Sequence, residues 1–463
     1  MEDNIQEMYQ RARKAFEIVE FWPQEKVDEM CQAAAWEWQK EENRKLLARL
    51  SVDESGIGRY EDKVNKIKDK CLGTLWDQRD VKTCGVIEDI PEKNLKILAK
   101  PIGVIANVVP CTNPESTICA LGLSMLKTRN AMIVSPHPRT PKSSYMTVEL
   151  GRKALKKIGA PEDLMQCIEH PTNEKTQKLM ASCDYAVATG GAALIKVVYE
   201  AGKPAQTVGA GNVISIVDAT ADLKAAANKI MMSKCANNSA SCSSENAVAI
   251  EESVFDEMMG YLKAEGGYLC TTEERERLRK WMWPDGTVLN RDCVARPVDY
   301  PAKMAEIDIP DGTRCLMVMG EKIGREDRFS GEKISLVLTI WKWNDFSDMV
   351  ERAKQMHKFS GEGHSVAIHS TNQDRMMELA IKANVGRVCC NMPHGAANSG
   401  AWFSGNPFTD TLGCGTWAGN ISSTNVNWKH FLNYTNLAQP IENYHVPTEE
   451  ELLGPYLKKW GRD

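Results

Sequence analysis

The chain has 463 residues, 43% of them hydrophobic and 26% charged, with a formal net charge of −5 at pH 7. Its length suggests two or three domains at the usual ~100–200 residues each, and its composition is that of an ordinary soluble protein. The weak acidity gives no reason to expect nucleic acid or a membrane surface as partner, and no apolar run approaches the ~20 residues that cross a bilayer. Met1-Glu2-Asp3-Asn4 lacks the basic and apolar regions of a signal peptide. The fifteen cysteines are odd in number, scattered and without a C-x-x-C pair. That pattern suits neither a disulfide framework nor a zinc site, so reduced thiols in a cytoplasm, and no metal, are expected.

In chain order, residues 3 to about 53 read as helices. Ile5, Met8, Ala12, Phe16 and Val19 recur at helical spacing, and a second helix runs from about 23 to 41. Residues 95–101 alternate like a half-buried strand, and 103–110 form a continuous apolar run like a strand buried on both faces. An alternating pattern follows: helix 114–128, strand 131–135, helix 141–158, strand 165–169, helix 173–181, strand 185–189 and a helix from Ala192. The second half repeats it: strand 213–217, helix 221–234, strand 246–250, helix 252–264, strand 335–341, helix 345–357, strand 364–369 and helix 372–383. Residues 266–330 are the least legible. The rhythm predicts two α/β lobes, each built on a parallel sheet, with ligands beyond the carboxyl ends of the strands.

Three features carry chemistry. Thr189-Gly190-Gly191 joins a strand to a helix, where glycines let a phosphate approach the helix amino end; a tight turn explains a lone glycine pair equally well. Cys242 lies in Asn237-Asn238-Ser239-Ala240-Ser241-Cys242-Ser243-Ser244-Glu245, a small and polar segment in which a cysteine is accessible and able to ionise. Composition alone leaves it one candidate among fifteen. Asn113, in Pro110-Cys111-Thr112-Asn113-Pro114, can aim an amide N–H at developing negative charge, or simply form an Asn-Pro turn.

Together these segments resemble the aldehyde dehydrogenase superfamily, and within it the CoA-acylating branch. The resemblance runs from the first helices to about Pro440. It is carried by Lys100-Pro-Ile-Gly-Val-Ile-Ala, Thr112-Asn-Pro114, Ser135-Pro-His-Pro-Arg139, Ala188-Thr-Gly-Gly191, Val208-Gly-Ala-Gly-Asn212, Ser239-Ala-Ser-Cys242-Ser-Ser-Glu245, Gly361-Glu-Gly-His364 and Thr411-Leu-Gly-Cys-Gly-Thr-Trp417. It implies an aldehyde dehydrogenase fold: two Rossmann-like lobes plus a small β extension for oligomerisation. The nucleotide-binding part would cover 1–212, the catalytic part 213–414, and a returning carboxyl-terminal segment 415–463. Residues 86–101 and 430–441 would supply the strands that extend between subunits of a homodimer or homotetramer.

The same resemblance implies site roles. Cys242 is the nucleophile, and Asn113 with the Cys242 N–H forms the oxyanion hole. Ser135, Pro136, His137, Thr189, Gly190, Gly191, Gly209 and Gly211 lie along an NAD or NADP cofactor, and Glu332 holds its nicotinamide ribose. His364 is either a structural histidine or a neighbour of the cofactor and CoA channel. Hydrolytic members carry a glutamate where this chain has Val208. Without that base water attacks the thioester slowly, which is a physical reason for CoA as acyl acceptor. Ser135 replaces the usual adenosine-ribose lysine, and Ser239 replaces a usual glycine.

The segment 391–402, with His394, Asn398 and Ser399, is expected to face the aldehyde tail and to favour a small polar substrate, or else to be a solvated loop. The carboxyl-terminal motifs are most similar to acylating enzymes acting on sulfoacetaldehyde, with succinate semialdehyde and acetaldehyde as alternatives. A hydrolytic aldehyde dehydrogenase and a thiol-rich redox protein are the competing classes. No separable amino-terminal helix of the kind that targets relatives to a microcompartment is apparent.

Overall fold

The computed structural model of the protein describes residues 4–462, and Ala192 by its backbone alone. The predicted start of the first helix at residue 3, and the reading of the segment Met1-Glu2-Asp3, fall outside them. Four helices come first: α1 (Ile5–Val19), α2 (Gln24–Gln39), α3 (Glu41–Ser55) and α4 (Tyr60–Gln78). Asn4 Oδ1 accepts from the N–H groups of Gln6 and Glu7, satisfying two donors that the first turn of α1 leaves orphaned. The buried stripe of α1 is the apolar one read from sequence, with Ala15 added. α4 was not predicted. Its buried face includes Lys63, Lys70, Thr74 and Gln78 beside Ile67 and Cys71, so it shows no apolar stripe.

The strands among the described residues are β1 (Gly85–Ile90), β2 (Leu95–Pro101), β3 (Val104–Val108), β4 (Ala131–Ser135), β5 (Met165–Cys167), β6 (Tyr185–Thr189), β7 (Ala205–Val208), β8 (Val213–Val217), β9 (Glu245–Glu251), β10 (Gly267–Leu269), β11 (Cys315–Met319), β12 (Val337–Trp343), β13 (Val366–His369), β14 (Val388–Cys390) and β15 (Leu432–Ala438). They form three sheets. The first is parallel, in the order β5-β4-β3-β6-β7. The second is parallel, in the order β10-β11-β12-β9-β8-β13-β14. Helices cover the faces of both, which is why β3, β4 and β8 are buried at every position and read as unbroken apolar runs. The amino-terminal helices and α5 (Pro114–Lys127) close over the first sheet in one continuous core. Two separate clusters line the second.

The stretch 266–330 resolves into short pieces: β10 of three residues, helix Thr272–Met282, helix Asp299–Met304 of six residues, and β11. Segments this short leave little periodicity to read. The third sheet is antiparallel, in the order β1-β2-β15, with Leu432 opposite Pro101. The predicted extension strands therefore pair with each other inside the chain. β15 is the edge strand, buried only at Leu432. No helix among the described residues is long and apolar enough to cross a membrane.

Candidate active site

A cavity of about 240 Å³ lies where the two parallel sheets meet. One wall follows the carboxyl ends of β3 (Pro110, Thr112, Asn113) and β6 (Thr189, Gly190, Gly191). β4 and β6 flank β3 on opposite sides, so this is the point where the strand order of the first sheet reverses, the place where open parallel sheets form a crevice. The other wall precedes the amino ends of β8 (Gly209, Ala210), β9 (Ser241, Cys242) and β12 (Glu332, Ile334). The expectation of ligands at carboxyl ends therefore holds for the first sheet only; the second presents its amino ends. Lys66, Thr117, Asp410 and Leu412 complete the lining.

Cys242 sits in a strained loop. Asn237, Asn238 and Ser239 all have left-handed backbones, with φ of 49°, 51° and 64°. Asparagine tolerates that region and serine does so less readily. At Ser239 a glycine would adopt the same φ without strain, which gives a physical reason for the glycine expected there from sequence. The strain is held from α4 and the turn before it. Asn237 N–H donates to Asp62 Oδ2 (2.7 Å), Asn237 Oδ1 accepts from the Arg59 N–H (2.7 Å), and Asn238 Nδ2 donates to the Gly58 carbonyl (3.3 Å). Behind the nucleophile passes Gly211, where a Cβ would stand 2.0 Å from the Cys242 carbonyl oxygen, so only glycine fits.

His364 Nε2 lies 3.1 Å from Cys242 Sγ, and its Nδ1 lies 2.7 Å from Ser365 Oγ. Both precede β13, whose predicted start at 364 is two residues early. The turn that delivers His364 uses Gly363 at φ +80°, where a Cβ would collide with the Cys414 carbonyl. Burial, and then Arg387, His394 and His357, hold the imidazole well below its usual pKa, so it is neutral. Burial, with Glu332 and Cys414 adding to it, pushes the Cys242 thiol up to about 12, while Lys66 and Arg387 oppose that rise. The resting pair is a thiol facing a neutral ring nitrogen. His364 thus stands directly against Cys242.

Asn113 lines the same cavity. One amide N–H donates to the Ala240 carbonyl (2.8 Å), and Oδ1 accepts from Asn237 Nδ2 (3.2 Å). Those bonds fix the amide beside the nucleophile loop. Glu332 Oε1 accepts from the Gly211 N–H (2.8 Å), and burial raises its carboxyl to about 7. Ser135 ends β4, one strand from β3, with its hydroxyl 2.8 Å from Thr176 Oγ1. Pro136 is buried and His137 half-buried at the same edge. These three do not line the Cys242 cavity; they continue its shelf.

The loop predicted to face the aldehyde tail does not line the cavity. His394, Asn398 and Ser399 are buried. His394 Nδ1 lies 2.8 Å from the Ser243 carbonyl, Asn398 Nδ2 donates to Ser243 Oγ (2.8 Å), and Ser399 Oγ accepts from Lys70 Nζ (2.8 Å). His394 and Asn398 brace Ser243, the residue after Cys242, and Ser399 ties its segment to α4. Their polarity satisfies backbone and side-chain groups in the interior, a use that sequence cannot distinguish from substrate contact.

Two charged residues escaped the sequence reading. Arg387 is buried, and none of its hydrogen bonds is to a carboxylate. Nη2 donates to the His364 carbonyl (2.8 Å), Nη1 to Asn425 Oδ1 (3.3 Å) and to Ser423 O (3.4 Å), and Nε has no partner. Lys66 reaches the cavity from α4 and pairs with Asp410 at 3.0 Å. A larger depression near Trp76 and Trp402, about 350 Å³, holds no comparable pairing of nucleophile and base.

A thiol facing a neutral imidazole in a glycine-lined crevice between two α/β sheets is an arrangement suited to a thiol enzyme. The chain belongs to the aldehyde dehydrogenase family, whose model matches residues 1–271. Relatives that this chain matches over nearly the whole length include enzymes named as acylating or acetylating. It is 39% identical over 462 residues to a sulfoacetaldehyde dehydrogenase (acylating) of Bilophila wadsworthia, covering 99% of each chain. It is 35% identical over 457 residues to a succinate-semialdehyde dehydrogenase (acetylating) of Clostridium kluyveri, covering 98% of this chain and 99% of that one. A crystal structure of an acetylating aldehyde dehydrogenase from Geobacillus thermoglucosidasius superposes with a TM-score of 0.92 at 31% identity, covering 96% of this chain and 97% of that one.

The family implies a nicotinamide cofactor, and the residues fit one. At Gly191, the residue before the helix Ala192–Glu200, a Cβ would meet only open space, so no atom of the described residues beyond its chain neighbours fills that cradle. Glu332 stands at the same cavity with only Oε1 bonded to Gly211.

Proposed function

We propose that the protein oxidises a small anionic aldehyde to its acyl-CoA, and runs the reverse reduction, through a thioester on Cys242. The observation that carries this reading is the 3.1 Å approach of His364 Nε2 to Cys242 Sγ. With the ring neutral and its Nδ1 proton directed at Ser365, Nε2 accepts the thiol proton as sulfur attacks the carbonyl. The oxyanion forms beside the Cys242 N–H and the second amide N–H of Asn113, each donor contributing roughly 3–4 kcal/mol in comparable sites. Thr189, Gly190, Gly191 and Gly209 would border the nicotinamide, Glu332 its ribose, and Ser135, Pro136 and His137 the adenosine end. When bound, NAD or NADP supplies the hydride acceptor.

Thioester release then selects the acceptor. Val208 is fully buried in an apolar cluster with Leu412 and Cys414, against which Cys242 packs. No carboxylate stands there to activate water, so the CoA thiol collects the acyl group. Two of the relatives are named for sulfoacetaldehyde and for succinate semialdehyde, both aldehydes with acidic tails. The small cavity and its lysine suit the shorter sulfonate, so sulfoacetaldehyde is the substrate proposed.

The test is NADH formation from sulfoacetaldehyde, succinate semialdehyde and acetaldehyde, each with and without CoA. Sulfoacetaldehyde should be preferred, and turnover should need CoA. Free acid formed without CoA would overturn the acylating reading; a strong preference for acetaldehyde would overturn the substrate. Cys242→Ala should abolish acyl transfer and retain nucleotide binding.

A further inference from the structure

α4 turns three lysines, Lys63, Lys66 and Lys70, inward at helical spacing, and they do not do the same work. Lys63 has a fully buried side chain; its Nζ donates to the Thr112 carbonyl (2.7 Å) and to Glu115 Oε1 (3.1 Å). Lys70 is buried as well; its Nζ donates to Ser399 Oγ (2.8 Å), to the Gly400 carbonyl (3.0 Å) and to the Ser399 carbonyl. Lys70 has three acceptors and Lys63 two, all supplied by the protein, and both lysines tie α4 to neighbouring segments. Lys66 differs. Its side chain is 22% exposed, into the cavity that holds Cys242, and its one ion-pair partner among the described residues is Asp410. An ammonium has three N–H donors. One faces Asp410 Oδ1, and the side chain lines the cavity that Thr112 and Thr117 also line.

Asp410 is itself tied down. Its Oδ2 accepts from Ser116 Oγ in the first turn of α5, so the carboxylate orients Lys66 from a fixed position. A lysine kept for structure would be bonded to more than one protein acceptor, as Lys63 and Lys70 are. The other acid in the cavity, Glu332, is bonded at Gly211.

We propose that Lys66, held by Asp410, is the residue that selects an aldehyde with an anionic tail, by receiving its sulfonate or carboxylate on the N–H groups that face the cavity. This rests on the anionic-aldehyde reading above and adds the residue that enforces it. The tail forms a charge-assisted hydrogen bond to Lys66 while the carbonyl lies at Cys242. Asp410 partly offsets the attraction, so its charge sets how strongly an anion is held.

Two measurements test this. The first is the ratio of kcat/KM for sulfoacetaldehyde to that for acetaldehyde, with saturating CoA and NAD, in the wild type, Lys66→Met and Asp410→Asn. The ratio should fall by roughly 30-fold or more in Lys66→Met, mainly through KM for the anionic substrate, and rise in Asp410→Asn. An unchanged ratio in Lys66→Met overturns the proposal. The second uses the wild type alone, so it survives a variant that fails to fold. Methanesulfonate should compete with acetaldehyde, and the neutral isostere dimethyl sulfone should not; equal inhibition by the two overturns the proposal. Should the wild type refuse every anionic aldehyde, the substrate reading of the previous section fails, and the inhibitor comparison still decides whether the cavity holds an anion.

Discussion

At the residue scale the chemistry turns on one proton. A thiol pushed up to about 12 is inert at neutral pH unless something takes its proton as it attacks, and His364 is the base within reach. His364→Gln should lower kcat by roughly 10²–10⁴-fold and slow alkylation of Cys242 by iodoacetamide between pH 6 and 8, with Tm little changed. An unchanged alkylation profile would remove His364 from the mechanism. The absent water base gives a second prediction. Val208→Glu should raise CoA-independent acid formation at the expense of acyl-CoA, followed by separating the two products.

Motif context singled out Cys242, Asn113, Glu332, Gly190, Gly191 and Gly209, and the structure brings them to one cavity. His394, Asn398 and Ser399 were misplaced because a polar side chain satisfying a buried carbonyl looks the same in sequence as one exposed to substrate. Arg387 left no signal at all: its partners, the His364 carbonyl and Asn425, come from segments distant in sequence.

At the element scale the nucleophile is placed by backbone more than by side chains. Three consecutive left-handed residues arch the loop over Gly211, and α4 holds the arch from the other side. Gly211→Ala would force a Cβ into the Cys242 carbonyl, so the loop must shift. A displacement near 1 Å costs on the order of 10²-fold in rate, and kcat should fall by about that much while nucleotide affinity, read by fluorescence titration, changes less. The inner strands β3, β4, β6, β8, β9, β12 and β13 were readable because burial on two faces writes continuous apolar runs, whereas β7, β10, β11 and β14, at or next to the sheet edges, were not. α4 was not, because its inward face carries lysines, a threonine and a glutamine whose partners lie elsewhere. The illegible helix supplies Lys66 and braces the Cys242 loop, so the unread element and the functional one coincide.

At the scale of the whole molecule, buried histidines set the acid limit of stability. Burial holds His357, His369 and His394 down at about 4, and His364 lower than usual. The unfolded chain binds those protons near pH 6.5. Their contribution is therefore intact above that pH and is lost as pH falls towards 4. Glu245 and Glu332, raised to about 7, work with the opposite sign, since the folded state then holds protons the unfolded one releases. Four histidines against two carboxylates leave the first effect dominant, so Tm should fall steadily from pH 6.5 to 4.5 in calorimetry. The free edge of β15 exposes Tyr434 and Leu437, and the carboxyl-terminal helix Glu449–Trp460 exposes Leu452, Tyr456 and Trp460. An apolar, unpaired edge suits association between copies, and a homodimer or homotetramer through this edge is the assembly we propose. Leu437→Lys with Tyr434→Lys should shift the mass measured by light scattering towards the monomer.

The most direct measurement is a single turnover of the wild type with sulfoacetaldehyde and NAD, without CoA, followed by intact mass and then by CoA addition. The acyl group should persist on Cys242 as a mass increment, stable to water over minutes, and leave as acyl-CoA when the thiol is supplied. Rapid loss of the increment to free acid before CoA is added would contradict the account.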